Sequence, residues 1–399
     1  MSSLTVTLIL FSLLLLLLFL NVPLVVSIGL PTALIMLGSG MKVATLAQRT
    51  YASVDSFTLM AIPFFMLAGK LMEVGGMSKR IVRLADCLVG WMAGGLAHVI
   101  VVASAFFGAL SGSAAATTAA IGSTLIPEMK KRGYPADFVA GIQAVAGALG
   151  VIIPPSITMI MYGVCSSTSI GKLFMAGIVP GIVLALFLMV TIAYQAKKRK
   201  ISQMNTFTFK ELGAAFLDAI PALLVPTIIL GGIYGGIFTP TEAGAVAATY
   251  GFLAGAFWYK EINLQNIGNI MGGAIVNTVL VMIVVGASGA FSWILTSAGV
   301  SSLLGKAISA IAGNKYIFLL VANLIFIFIG MFIESVAGIL IVTPILLPIA
   351  TSLGVDPVHF GIIMVVNLAL GLTTPPVGEN QYIAAAIAEI PFEEEVKSS

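Results

Sequence analysis

The sequence predicts an all-α polytopic membrane protein, built as an inverted-topology repeat with two re-entrant hairpins and two broken helices. Three observations predict it: a scarcity of charge, landmarks that recur at one spacing, and a reversal of charge between equivalent loops. Of 399 residues, 59% are hydrophobic and only 9% charged, where a soluble domain carries about 25% charged residues. At roughly 20 apolar residues per bilayer crossing, the length leaves room for about a dozen segments. A soluble enzyme, a disordered chain and a nucleic-acid-binding module are excluded on this ground. A membrane β-barrel is excluded because its strands alternate apolar and polar residues, whereas this chain holds continuous runs such as LILFSLLLLLLFL (8–20).

The repeat is visible by eye. GVIIPPS at 150–156 returns as GLTTPPVG at 371–378, an offset of 221 residues. At the same offset Pro127 and Gly133 match Pro348 and Gly354, and Gly76 finds a looser match in Gly299. The charges of the matching loops differ. Loop 128–136 carries Lys130, Lys131 and Arg132, while 349–357 has no Lys or Arg and one Asp, Asp356. Loop 78–83 carries Lys79, Arg80 and Arg83, and its partner has only Lys306. Positive charge stays on the cytoplasmic side, so equivalent loops belong on opposite faces. That arrangement is a common build for secondary transporters.

Taken in order, residues 1–200 form the first repeat and 201–399 the second. Residues 4–20 and 22–40 are apolar spans, with no Lys or Arg ahead of the first and no small-residue cleavage site, so 4–20 reads as a retained helix. Residues 42–55, with Lys42, Arg49 and Asp55, form an interfacial arm, and 57–74 crosses inward. Segment 94–126 starts and ends beside basic stretches and has a small, polar centre, SGSAAATT at 111–118. Its arms of ~15 residues reach ~22 Å, too short to span, which predicts a re-entrant hairpin. Residues 136–165 cross outward as a helix broken by Pro154 and Pro155, and 173–195 returns to the basic stretch 197–200. The second repeat retraces this upside down: helices in 219–259, an arm at 261–275, a span at 277–297, a hairpin at 316–348 and a broken helix at 358–390. The partner of helix 173–195 would begin near 394, so the symmetry leads one to expect a further helix. The basic loops 78–83, 128–136 and 197–200 all fall on the cytoplasmic side.

The Pro-Pro breaks are the first candidates for function. Proline removes a backbone donor and stops helix continuation, leaving bare carbonyls and amides at membrane depth. Such groups are tolerated only in protein or against a polar cavity, and half-helix ends there hold cations through carbonyls or anions through amides. The first break offers Gly150, Pro154, Pro155 and Ser156; the second offers Thr373, Thr374, Pro375, Pro376 and Asn380. A plain kink at each break is the competing reading, weakened by its duplication. The hairpin tips are the second candidates. Ser111, Gly112, Ser113, Ala114, Thr117 and Thr118 supply oxygen ligands with little bulk, as hard cations require, although small residues also serve helix packing. In the second tip Glu334, beside Ser335 and Gly338, is the only acid between Glu261 and Asp356. A charge there costs about 2.5–3.5 kcal/mol on the insertion scale and needs a partner or water.

Other polar residues carry less. Gln143 and Asn367 lie near the breaks and could line a cavity. His98 reads as a packing histidine and His359 as a helix-start residue; Cys87 and Cys165 make neither a disulfide framework nor a metal spacing. GASG at 286–289 has the spacing of a serine nucleophile, with His359 a conceivable base, but 42 glycines make such a tetrapeptide cheap. No zinc-protease motif or phosphate-binding loop is present, which argues against an enzyme and against ATP hydrolysis.

IPFFMLAGKLMEVGGMSKR (62–80), FFGALSGSAAATTAAIGSTLIPEMKKRGY (106–134), GVIIPPS and NLALGLTTPPVGEN (367–380) resemble the large membrane subunit of tripartite ATP-independent periplasmic (TRAP) transporters, essentially over the whole chain. The resemblance implies sodium-coupled, ATP-independent import of a carboxylate across the bacterial inner membrane. It also implies a periplasmic binding protein, a small membrane subunit of about four helices, and an elevator in which hairpins and broken helices move against a static scaffold. Two or more sodium sites would lie between tips and breaks: Ser111, Gly112, Ser113 and Ala114 with Gly150, Pro154 and Pro155, and Glu334, Ser335 and Gly338 with Thr373, Thr374, Pro375 and Pro376. Candidate substrate contacts are Ser113, Thr117, Gln143, Ser156, Asn367 and Asn380. The branch it resembles most takes sialic acid; C4-dicarboxylates are the other named class. A standalone sodium- or proton-coupled exchanger of the same architecture is the rival reading, followed by a non-transport assembly protein.

Overall fold

A computed structural model describes residues 2–20, 22–199, 201, 207–300, 303 and 314–399. Among the described residues all regular secondary structure is helical, with no strand. Lys200 of the basic stretch 197–200 and Lys306 lie outside the described residues.

The first half runs α1 (Ser3–Phe19), α2 (Leu24–Gly38), α3 (Val43–Val54), α4 (Ala61–Val74), α5 (Met77–Val89), α6 (Gly95–Ser111), α7 (Ala114–Lys131), α8 (Ala136–Gly147), α9 (Leu149–Ile152), α10 (Ile157–Ser166) and α11 (Ile170–Lys198). The second runs α12 (Phe209–Tyr234), α13 (Pro240–Leu253), α14 (Ile267–Ser297), α15 (Lys315–Gly330), α16 (Ser335–Ser352), α17 (Pro357–Gly371), α18 (Glu379–Ala388) and α19 (Phe392–Val396). Among the described residues, four helices (α11, α12, α14 and α16) are each long and apolar enough to cross a membrane, and two bent pairs would raise this to six. Val179, Ile182, Leu186, Phe187 and Val190 of α11 are exposed, an apolar face of the kind that lipid covers.

The breaks have local causes. At 55–57 the chain leaves α3 and turns by 62° into the segment 58–74. Between α9 and α10, Pro154 and Pro155 withhold two donors, and the segments on either side meet at 42°. The Pro154–Pro155 and Pro375–Pro376 bonds are both cis, and Gly76, Gly133, Gly299 and Gly354 all have positive φ. The repeated landmarks, at 221 residues for the Pro pairs and Gly133/Gly354 and at 223 for Gly76/Gly299, therefore share backbone conformation as well as residue type.

Three boundaries differ from expectation. Residues 78–83 are not a loop but the first half of α5. Its Ile81, Leu84 and Ala85 are buried while Lys79 and Arg83 remain exposed, the 3.6-residue period of an amphipathic surface helix. Arg80 lies over the Tyr259 ring at 4.3 Å and pairs with Glu261 at 3.3 Å. The segment 94–126 continues through Pro127 to Lys131, where basic residues suit the negative end of a helix. Its arms of 17 and 18 residues reach about 26–27 Å, still short of a ~30 Å hydrocarbon core. Finally, 261–275 is not a separate arm, because residues from 267 onward belong to one helix of 31 residues. The break at Asp55 and Ser56 finds Val276 and Asn277 at the repeat offset, and neither interrupts the helix.

One tie joins the two halves near the outer ends of the broken helices. Tyr162 of α10 is fully buried, and its hydroxyl donates to the Pro357 carbonyl over 2.7 Å. Tyr162→Phe is expected to cost about 1–2 kcal/mol, since it leaves that carbonyl unpaired. Thermal unfolding of the detergent-solubilised protein measures it, and an unchanged midpoint would show that the bond adds nothing.

Candidate functional site

The hairpin tips and helix breaks meet in two similar junctions. In the first, α6 and α7 are joined at Gly112 and Ser113. Gly112 has φ +63° and its carbonyl accepts from Ile157 N, the first residue after the break, over 3.2 Å. A Cβ on Gly108 would stand 2.8 Å from the Gly150 Cα, and one on Gly150 would stand 2.5 Å from the Ser113 carbonyl oxygen. In the second junction the Met331 carbonyl accepts from Val377 N over 3.2 Å. A Cβ on Gly330 would stand 3.0 Å from the Gly371 Cα. Glycine is used at both crossings because the backbones touch, leaving no room for a side chain.

The polar groups of the first junction are mostly engaged. Ser111 Oγ and Thr117 Oγ1 are 2.9 Å apart, and Thr117 Oγ1 donates to the Ser113 carbonyl over 2.8 Å. Ser156 caps α10 through Met159 N and donates to the Val151 carbonyl. Ser113 caps α7 through Ala116 N, and Glu334, its equivalent at the 221-residue offset, caps α16 by accepting from Val336 N at 2.9 Å and Ala337 N at 3.4 Å. In the second junction Thr373 and Thr374 both donate to the Leu370 carbonyl, Gly338 packs on Leu368, and the buried Ser335 hydroxyl has no hydrogen-bond partner.

Both junctions open on one cavity of about 540 Å³. Ser111, Ser113, Ala114, Glu334, Val336, Leu372 and Glu379 contribute to one wall. The facing wall comes from α4 and α14, with Gly69, Lys70, Glu73, Asn277 and Val281. Helix α4 touches the tip: a Cβ on Gly69 would be 3.4 Å from the Ser111 Cα. Lys70 pairs with Glu73 at 3.0 Å, both about 30% exposed. The four helices that begin at this centre, α7, α10, α16 and α18, turn amide ends towards it, and α6, α9, α15 and α17 end there in carbonyls. Amide ends favour anions and carbonyl ends favour cations.

Of the candidate substrate contacts, Ser113 lines the cavity. Thr117, Gln143, Ser156 and Asn380 are fully buried. Gln143 makes no hydrogen bond with either amide atom, Asn380 donates to the Ala144 carbonyl, and Asn367 is held by Asn323 and the Ile363 carbonyl. Sequence reasoning missed Lys70, Glu73, Asn277 and Glu379, although two charges inside the apolar run 57–74 were a signal for the first pair. Ser288 Oγ has no partner, so the Ser288–His359 pair is not formed. Among the described residues no three His, Cys, Asp or Glu group as a metal site.

A family described as "Tripartite ATP-independent periplasmic transporter, DctM component" matches residues 8–399. The isethionate TRAP transporter permease protein DctMQ of Oleidesulfovibrio alaskensis is 44% identical over 94% of this chain and 59% of its own length. The C4-dicarboxylate TRAP transporter large permease protein DctM of Pseudomonas aeruginosa is 42% identical over 92% of this chain and 86% of its own length. Among solved structures, the Alcanivorax borkumensis YdaH transporter covers 89% of this chain and 83% of its own at TM-score 0.62 and 13% identity, a likeness of fold.

Proposed function

The chain belongs to the DctM component family of tripartite ATP-independent periplasmic transporters, and on that premise we propose that it is the translocating subunit of a sodium-coupled importer of small organic anions. The observation that carries the reading is the paired junction: hairpin tip on helix break, glycine on glycine, twice around one cavity. Carboxylates such as sialic acid and C4-dicarboxylates, and sulfonates such as isethionate, are the substrate classes to which relatives and resemblance point. A small membrane subunit and a periplasmic binding protein complete the system. The relative whose name joins M and Q is longer than this chain, which spans 59% of it, and that supports a second membrane portion. The relatives are named as permeases, consistent with a chain that is not an enzyme.

Sodium is a co-transported ion in this reading. It would be held at Ser111 to Ala114 with Gly150, Pro154 and Pro155, and at Glu334, Ser335 and Gly338 with Thr373 to Pro376. Terminal carbonyls of α6, α15 and α17 accept from cap amides, as Gly108 from Gly112 N, Ile327 from Met331 N and Leu368 from Leu372 N, and keep a second lone pair; the unpartnered Ser335 hydroxyl fits the oxygen-rich shell a hard cation demands. Hairpins 94–126 and 316–348 with the broken helices 136–165 and 358–390 form the moving block of an elevator. The two inverted repeats, 1–200 and 201–399, each contribute one hairpin and one break to it.

Reconstitution with the small subunit tests the reading. Uptake is measured under an inward sodium gradient, with and without binding protein. Uptake indifferent to both would sink it, and activity of this chain alone would favour the standalone exchanger.

Glu334 separates capping from cation binding. Glu334→Gln keeps an acceptor for Val336 N, so the sodium-free melting temperature is expected to hold while most of the sodium-dependent increase is lost. Glu334→Ala also loses the cap and about 1 kcal/mol of stability. A full sodium shift in the Gln variant would remove Glu334 from the cation site.

A further inference from the structure

We infer that Lys70 is the cavity's receptor for the acid group of the transported anion, a carboxylate or sulfonate, which it binds from the α4 wall facing the hairpin tips. The inference rests on the import reading and deepens it by naming the residue that selects negative charge.

Four observations carry it. Among the described residues lining the cavity, Lys70 is the only Lys or Arg, beside the carboxylates Glu73, Glu334 and Glu379. That ammonium is therefore the one side-chain cation among the described lining residues to which an anion can be drawn. Lys70 also sits at the depth of the tip, because its neighbour Gly69 is in backbone contact with Ser111. Under the import reading the tips stand near the membrane centre, remote from the headgroup region to which a lysine snorkels. Thirdly, its ammonium is held by Glu73 alone, through oxygens at 3.1 and 3.0 Å, and an ammonium has three donors. One donor remains for an incoming oxyanion without breaking the pair. Lastly, the room is there. Across from the aliphatic stem stands Gly273 of α14, whose absent Cβ would lie 3.4 Å from Lys70 Cε, and Asn277, one turn on, adds an amide to the same wall.

Together these define the ligand: one oxyanion end at Lys70, and a small polar remainder towards Ser111, Ser113 and the amide ends of α7 and α16. A second acid group, where the substrate has one, falls nearest the tips, where co-bound sodium would have to offset Glu334. The Glu73 carboxylate restrains Lys70 in the cavity and offsets part of its charge, so it acts as a positioning residue.

Uptake by the complete reconstituted system selects the probe from isethionate, succinate and N-acetylneuraminate. Equilibrium binding of that radiolabelled anion to the membrane complex in saturating sodium then compares wild type with Lys70→Gln, Lys70→Arg and Glu73→Gln. Lys70→Gln is expected to weaken binding about tenfold or more, the loss of one charge-assisted contact, with its sodium-dependent stabilisation intact. Lys70→Arg is expected to restore most of the affinity, and Glu73→Gln to tighten it by removing the carboxylate that offsets the ammonium's charge. Unchanged affinity in Lys70→Gln overturns the inference alone, as does equal weakening by Lys70→Gln and Glu73→Gln, which would make the pair structural. Loss of sodium stabilisation in Lys70→Gln overturns it too, placing the residue in the fold or the cation site. Import of none of the three anions by wild type overturns the import reading and this inference with it.

Discussion

Gly371→Ala is expected to abolish sodium-driven uptake and to lower the melting temperature. The added Cβ would overlap the Cα and carbonyl carbon of Gly330 and lie 2.9 Å from the Ile327 carbonyl oxygen. None of these is the far end of a flexible side chain, so relief requires one helix to move off the other. Overpacking of this kind costs about 1–3 kcal/mol even where side chains can adjust, and here only backbone can. The same shift would pull the second tip away from its break and stretch the bond from Val377 N to the Met331 carbonyl. Gly150→Ala should behave alike, since its Cβ meets the Ser113 carbonyl and the Thr117 hydroxyl. The control is Gly231→Ala on α12, where nothing stands within 4 Å and the change should stay within about 1 kcal/mol. Uptake and sodium-dependent melting measured on all three decide the matter. Wild-type behaviour of Gly371→Ala would mean that the close crossing is not required for either.

The glycines show where sequence reading stops. Gly150 and Gly371 stand out because the Pro-Pro landmarks beside them repeat at 221 residues. Their partners do not: Gly108 and Gly330 are 222 apart, one residue off the repeat, so alignment by landmark cannot pair them. Only the crossing of two helices does. Lys70 and Asn277 illustrate a second limit. The repeat pattern marks what the two halves share, whereas the far wall of the cavity is built by α4 and α14, which meet the tips through tertiary packing alone. Glu334 was legible as an isolated acid, but its capping role depends on α16 starting at Ser335, a boundary that no residue between the flanking apolar runs announces. By contrast the helical form of 78–83 was open to reading, because Ile81, Leu84 and Ala85 already follow a helical period. The clustered charge of this stretch lies on the exposed face of an amphipathic surface helix.

A disulfide between Gly69→Cys and Ser111→Cys is expected to stop transport about tenfold or more when formed, and to release it on reduction. The pair is suited to the question because α4 reaches the tip just there, with the Gly69 Cβ position 3.4 Å from Ser111 Cα. If hairpins and broken helices move as a block past α4 and α14, this contact must break in every cycle, and a covalent bond across it holds one end state. If instead the tips flex locally while the rest stays put, a bond at the tip should have a smaller effect than one of equal strength between α6 and its own neighbour α8. Ser111 belongs to the proposed cation site, so the double variant will have a reduced rate even when unlinked. Comparing oxidised with reduced forms of the same protein cancels that loss. Complete crosslinking with a rate within about twofold of the reduced form would count against an elevator, since a bond of ~2 Å between the sulfurs leaves no slack for one body to slide along another.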